Sequence, residues 1–322
     1  MSDHQYVYAV ARIRGRELSL LSGSFLDQLT SARSYEECLQ LLSEKGWGSE
    51  GAKNAEALLE EERKKTWGLI GELLEDLSIF DVFLYANDYH NLKAAMKEAQ
   101  MAHEFPGIYI EQGTVEPKQI RRAMAERNYT LLPERMRQPA QEAYEALLHT
   151  GDGQLCDIIV DRAALDAIYE AGKKSNNEFL KLYSELTVVA ADIKIAVRAQ
   201  RTGKDRAFLE RALAPCDTLN ISGLTEAAIA GIEEIYKYLS STPYAEAAEE
   251  LRKSPSAFER WCDNLLIRRI RPQLTNSFGI GPLAAYILAR ENEMKSVRIV
   301  LSGKLNHLPE HTIRERIREM YV

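Results

Sequence analysis

Gly281-Pro282-Leu283-Ala284-Ala285-Tyr286-Ile287-Leu288-Ala289-Arg290-Glu291-Asn292-Glu293-Met294-Lys295-Ser296-Val297-Arg298-Ile299-Val300-Leu301-Ser302-Gly303-Lys304 is the stretch on which the fold turns. Its proline stands at the second position, where the first turn of a helix has N–H groups without intrahelical acceptors and tolerates the ring. An apolar face follows, then a dense charged patch, then a Gly-Lys pair that reads as a stop. The stretch predicts a long helix. Its most apolar run, Ile280 to Ala289, is half of what a bilayer span needs, so no direct membrane span is expected.

The same grammar runs outward along the 322 residues. There are ten prolines, with none before Pro106 and none between Pro139 and Pro215. Long proline-free spans rich in Ala, Leu, Glu, Lys and Arg favour helix, because those side chains lose little rotamer freedom there. Ser34-Tyr35-Glu36-Glu37 reads as a capping box, with Gly46 as the left-handed stop. A second helix is expected from about Asn54 to beyond Leu84, with Trp67, Ile70, Leu74, Leu77 and Leu84 on one stripe and Asp81 as a polar intruder. A third stripe combines Phe179, Leu182, Tyr183, Leu186, Ala190, Ile193 and Val197, closed by Gly203. Asp205 then caps a short helix that Pro215 ends. Only Leu155 to Val160 suggests a short extended piece. The predicted class is all-α.

Two echoes divide the chain into thirds. Asn91-Leu92-Lys93, Asp192-Ile193-Lys194 and Ser296-Val297-Arg298 repeat a polar–aliphatic–basic pattern. Asp88 and Glu293 stand three residues ahead of the first and third copies, and Val189 ahead of the second. Leu42, Leu148 and Leu239 precede turns, with Trp47 and Tyr244 five residues past the first and third. The spacing predicts three similar helical domains, residues 1–115, 116–217 and 218–322. Leu308-Pro309-Glu310 resembles Leu132-Pro133-Glu134, which predicts that the C-terminal helix packs where a new repeat would begin, against the N-terminal helix.

Charge and motifs exclude several classes. The net charge of −7 disfavours nucleic acid as a partner. Between Arg252 and Arg318, 13 Lys/Arg face 6 Asp/Glu, a net of +7 that leaves −14 on the remainder. Such a basic last fifth reads either as a face for an acidic partner or anionic headgroups, or as a solvated helix surface. Cys38, Cys156, Cys216 and Cys262 show no C-x-x-C spacing, so buried thiols in a reducing compartment are expected rather than zinc or dithiol chemistry. The N-terminus has no signal-peptide-like apolar core, since Arg12, Arg14 and Arg16 interrupt Tyr6 to Leu21. No phosphate loop, nucleophile elbow or H-E-x-x-H occurs, and Pro309 between His307 and His311 prevents a helical metal pair. Asn87-Asp88-Tyr89-His90-Asn91 reads as a polar interface motif of the repeat rather than a catalytic cluster. No cofactor, metal or catalytic residue is expected.

Several stretches together resemble the central-stalk connector family of V-type and archaeal-type rotary ATPases, the C subunit in prokaryotes and the d subunit in eukaryotes. These are Tyr6-Val7-Tyr8-Ala9-Val10-Ala11-Arg12-Ile13-Arg14, Asp88-Tyr89-His90-Asn91-Leu92-Lys93, Arg198-Ala199-Gln200-Arg201-Thr202-Gly203-Lys204-Asp205, and the ending on Tyr321-Val322. The middle copy departs, with Val189 and Asp192 where family members commonly carry Asp and Asn. The resemblance implies three helical domains around a pseudo-threefold axis, shaped as a funnel. It implies a non-catalytic monomer, peripheral on the cytoplasmic face, between a shaft of subunits D and F and a membrane rotor ring. Lys93, Lys194, Arg298 and Lys304 are the candidate interface residues at one end of that funnel; their competing role is to cap helix C-termini. Two other classes stay open: an all-α enzyme or ligand binder with its site in a bundle core, and a helical adaptor outside any rotary complex.

Overall fold

A computed structural model describes residues 6–48, 54–101 and 103–322. Among them every regular element is helical and no strand occurs, as the 3.6-residue periodicity predicts. The chain divides into two compact units, one made of residues 1–77 and 249–322 and the other of residues 78–248. The first opens with α1 (Val7–Glu17), α2 (Gly23–Ser31), α3 (Tyr35–Glu44) and α4 (Ala55–Leu73). The second holds α5 (Tyr85–Met101), α6 (Pro117–Ala125), α7 (Glu134–Thr150), α8 (Gly153–Lys174), α9 (Glu178–Arg201), α10 (Arg206–Ala212), α11 (Ile221–Ala230) and α12 (Ile232–Ser240). The division falls inside α13 (Ala245–Lys253), after which α14 (Pro255–Ile270), α15 (Gly281–Leu305) and α16 (Glu310–Arg314) complete the first unit.

The caps that begin these helices are mostly local chemistry. Ser34, Asn54, Asp152, Asn177, Asp205, Asn220 and Ser254 each accept a backbone N–H of the following first turn. Glu37 reaches back as a capping-box acid does, but to the Arg33 N–H, one residue ahead of the cap. Gly46 takes the left-handed conformation at φ +79°, as expected after α3. Pro133 and Pro309 cap α7 and α16 with nearly the same backbone angles, −54°/149° and −57°/144°, so the echo between their sequences is also an echo of shape. The C-terminal helix α16 packs on α2 rather than on α1.

Several local expectations are corrected. The helix from Asn54 ends at Leu73, because Leu74 turns extended and the polar Glu75-Asp76 and Ser78 introduce a separate 3₁₀ segment, Ser78–Phe83. Phe80 and Val82 are buried from that segment, and their burial carries the apolar pattern on past the end of the helix. Leu155 to Val160 is helical within α8. Its Cys156 and Val160 are buried in the core beside α5 with Ile159 half-buried against them, and tertiary packing overrides strand propensity. Leu148 is exposed, and the neighbouring Leu147 does the burying. Helix α15 is buried on nearly all sides, packed against α1, α2, α3, α4, α14 and α16, so it is a central helix rather than an amphipathic one.

Gly303 is also no stop. The helix runs past it and closes on His307 at φ +52°, with Leu308 N–H donating to Gly303 O at 2.8 Å and His307 N–H to Lys304 O at 3.1 Å. Those two bonds form a Schellman closure. What Gly303 supplies is room: a Cβ there would lie 2.6 Å from the Ile313 side chain of α16.

Gly172 does the same for the α8–α9 hairpin, where a Cβ would lie 1.7 Å from Ser184 Oγ and 3.0 Å from Leu180 O. Gly68 is exposed in the middle of α4, with nothing within 4 Å of such a Cβ. Gly172→Ala is therefore expected to destabilise the chain by about 1–3 kcal/mol through forced separation of the hairpin. Gly68→Ala is expected to stabilise it by about 0.5–1 kcal/mol through lower unfolded-chain entropy. Urea denaturation of both variants beside the wild type checks the opposite signs.

Candidate interface residues and the clamps behind them

Three long helices each carry buried polar side chains that hold a segment distant in sequence. On α5, Asp88 is fully buried. Its Oδ1 accepts from Thr114 N at 2.8 Å and Val115 N at 3.2 Å, and its Oδ2 from Arg135 Nη2 at 2.6 Å. One turn on, Asn91 accepts from Ile110 N at 2.9 Å and donates to Ile110 O at 2.8 Å. Asn87 donates to Gln112 O, and His90 meets Ile108 O. The motif Asn87–Asn91 thus lays the 108–115 segment along the helix. Gly113 permits the approach, since a Cβ there would sit 2.6 Å from Asp88 Oδ1.

On α9 the clamp is made differently. Asp192 Oδ1 accepts from Ala214 N at 2.9 Å, while Glu185 accepts from Thr218 N at 2.7 Å and Asp217 N at 3.2 Å. Arg162 of α8 donates to Leu213 O. The deepest face of α9 therefore contains Ser184, Glu185, Val188, Asp192 and Ile193; Ile193 and Val197 of the predicted stripe are buried, and its other members, Phe179, Leu182, Tyr183, Leu186 and Ala190, lie half-buried beside that face. The apolar stripe of α9 is thus rotated from the face on which Glu185 and Asp192 are buried.

On α15 the clamp belongs to the first unit. Glu293, 2 % exposed, accepts from Leu21 N in the α1–α2 turn. Arg290 bridges Glu293 to Glu62 of α4, donates to Thr66 at 3.3 Å, and lies over the Trp47 ring at 4.8 Å. Asn292 donates to Glu319 O at 2.9 Å, which ties down the chain's last residues. Burial raises the Glu293 carboxyl to about 7, against the opposing pull of Arg290 and the Leu21 N–H. Glu62 also accepts from Lys65 Nζ at 2.7 Å and from the Gly48 N–H at 2.8 Å, so two cations face the two buried carboxylates.

The four predicted cations lie on these same helices. Lys93 on α5 pairs with Asp161 of α8 at 2.5 Å. Lys194 on α9 and Arg298 on α15 are exposed. Lys304 donates to Ala32 O at 2.5 Å, which closes the end of α2. Lys93 and Lys194 belong to one unit, Arg298 and Lys304 to the other. Much of the basic excess of the last fifth is also used internally. Arg268 pairs with Glu319, Lys295 and Arg318 with Asp263, and Arg314 with Asp27 and Glu310. Arg260 and Arg271 donate to the carbonyls of Glu315 and Met320. Among the described residues no three His, Cys, Asp or Glu converge as metal ligands, and no helix is long and apolar enough to cross a membrane. Sequence reading missed Arg135, Glu185, Glu62 and Thr66. The available signal was a polar residue on a helix's buried face; Glu62 and Thr66, four apart, carry it.

Residues 9–316 match the family model described as ATP synthase (C/AC39) subunit. The chain is 24% identical to the C subunit of the V-type sodium ATPase of Enterococcus hirae, over 96% of this chain and 97% of that protein. It is likewise 24% identical to the C subunit of the V-type ATP synthase of Thermus thermophilus, over 98% and 99%. The C subunit of the A-type ATP synthase of Methanocaldococcus jannaschii is similar at 24%, over 96% and 85%. The chain belongs to the ATP synthase C/AC39 subunit family, whose members are structural stalk subunits of rotary ATPases and not catalytic ones.

Replacing Arg290 by Met leaves Glu293 buried without its cation, while Glu62 keeps Lys65 at 2.7 Å. The expected loss is about 3–5 kcal/mol at about pH 8. It shrinks towards about pH 5, because Glu293, which burial raises and Arg290 then no longer lowers, binds a proton that the unfolded chain holds less tightly. Urea denaturation at the two pH values, followed by Trp fluorescence, reads both the size and the sign.

Proposed function

We propose that this member of the C/AC39 family is the rotor connector of its ATPase, joining a central shaft of subunits D and F to the membrane ring. In that role it carries torque between ATP turnover and the movement of protons or sodium ions. The observation behind the reading is the family match along residues 9–316, with relatives aligned over nearly their whole length. The relatives' names include both a sodium ATPase and ATP synthases, so the reading embraces either ion and either direction.

The proposal includes three similar helical domains, residues 1–115, 116–217 and 218–322, arranged as a funnel about a pseudo-threefold axis. It is supported by the echo of Asn91, Asp192 and Ser296 on three long helices, with Asn91 and Asp192 each holding the backbone of the segment that follows. One copy per rotor would sit on the cytoplasmic face, without a span of its own. A connector must hold register under load and still assemble, and charge pairs at its rim fix register and speed docking more than they add affinity. Lys194 and Arg298 are the exposed members of the candidate interface set. Lys93 meets Asp161 and Lys304 meets Ala32 O.

The test uses purified shaft complex and detergent-solubilised ring as separate binding partners. Wild-type chain is expected to bind, more weakly as salt rises. The double variant Lys194→Glu/Arg298→Glu is expected to bind at least one partner about tenfold more weakly with a shallower salt dependence, while its Tm barely moves. Unchanged binding with a lowered Tm assigns these side chains to the fold alone. Failure of the wild type to bind either partner removes the connector reading.

A further inference from the structure

We propose that Asp192 is carried as a neutral carboxylic acid in the folded chain, taking the place of the Asn91 amide, so that residues 213–218 are held by a protonated latch that base releases. The two residues compared lie within one unit of the molecule. Asn91 and Asp192 sit at equivalent points of the repeat, on α5 and α9, and each faces the backbone of a segment that follows its helix. Asn91 satisfies that backbone from both ends of its amide, accepting one hydrogen bond and donating another. An ionised aspartate only accepts, whereas a protonated one, like an amide, can also donate.

The surroundings of Asp192 favour the protonated form. The residue is fully buried. Oδ1 accepts from Ala214 N at 2.9 Å, whereas Oδ2 is buried with no hydrogen-bond partner. A carboxylate oxygen without donors in a dry site is costly, and a hydroxyl there is much less so. From α8, Arg162 and Asp166 face the group; from α9 itself, Glu185; from the clamped segment, the Cys216 thiol. Arg162 is the one cation in that set, and it already donates to Leu213 O and pairs with Asp166 at 3.0 Å. The charged side chains of α10, α11 and α12 all lie at the exposed surface. An additional negative charge at Asp192 would therefore meet Asp166 and Glu185 with its nearest cation already committed. Burial accordingly lifts the carboxyl from its ordinary 3.8 to about 7, although the Ala214 N–H and Arg162 pull the other way.

The sign follows from proton linkage. An acid whose folded value lies above its unfolded one contributes stability that is complete below about pH 4. That contribution is lost as pH rises through about 7. Above that value the clamp holds a buried anion, and opening of the 213–218 segment, which leads from α10 to α11, relieves it.

Full-length wild type and Asp192→Asn provide the test. Urea denaturation is expected to find the two closest at about pH 4 and the asparagine variant the more stable at about pH 9, with the gap opening between about pH 4 and pH 7 and level above it. At about pH 9 the Ala214 amide of the variant should exchange with solvent about tenfold or more slowly than that of the wild type. In the folded wild type, the ¹³C carboxyl resonance of Asp192 should titrate near 7. A stability difference that stays constant with pH, of either sign, overturns the proposal. So does a resonance that titrates in the ordinary carboxylate range; that measurement needs only the wild type and decides the matter even if the variant fails to fold.

Discussion

A carboxylate inside a helical core persists only where something donates to it, and in this chain the donors are backbone N–H groups of irregular segments. A helix satisfies its own interior amides but leaves its connections with amides that water cannot reach once they are packed inward. Asp88, Asp192, Glu185 and Glu293 meet that need from the helix side. The exchange is mutual: the segment loses its unpaired donors and the acid gains the partners that make its burial tolerable. Remove either party and the other becomes a buried polar group without a mate, which is among the more damaging things a substitution can do.

The clamps also explain why α15 departs from the usual amphipathic pattern. A helix surrounded on all sides needs some way to fix its rotation, since apolar contacts alone tolerate small slides and turns. Arg290 and Glu293 point to Glu62 and to the Leu21 N–H, and Asn292 to Glu319 O, so α15 is pinned along several directions. Buried ion pairs of this kind add little net stability over a well-packed apolar core. Their geometry, however, admits one register and excludes its neighbours. For a chain read as part of a rotor, a core that resists sliding is the property that matters, and Gly172 and Gly303 serve the same end by letting helices approach without intervening side chains.

Charge is divided between two tasks. The last fifth of the chain has a strong basic excess, and much of it is absorbed at home: Arg268, Arg271, Arg260, Lys295 and Arg318 fasten the C-terminal residues and α14 to their surroundings. A patch counted from the sequence is thus larger than the patch offered to a partner. Lys304 shows the distinction within a single helix. It ends on the carbonyl of Ala32, while Arg298 six residues earlier remains at the surface.

The sequence by itself determined the class of the fold and several helix beginnings. The all-α periodicity, Ser34, Asn54 and Asp205 as caps, and Gly46 as a left-handed stop act over three or four residues, and they operate in the same way wherever the helix is later placed. The stretches Tyr6–Arg14, Asp88–Lys93 and Arg198–Asp205, with the ending Tyr321-Val322, carried the resemblance that named the family. Local reading failed where burial and polarity coincide. On α9 the apolar stripe pointed away from Glu185 and Asp192, and nothing near Glu62 or Arg290 announced that the two would meet. Only the tertiary structure decided those matters, because the partners lie far apart along the chain: Glu293 reaches Leu21 across 272 residues and Arg290 reaches Glu62 across 228. A buried polar side chain is stable or ruinous according to what faces it, and what faces it is set by the packing of helices.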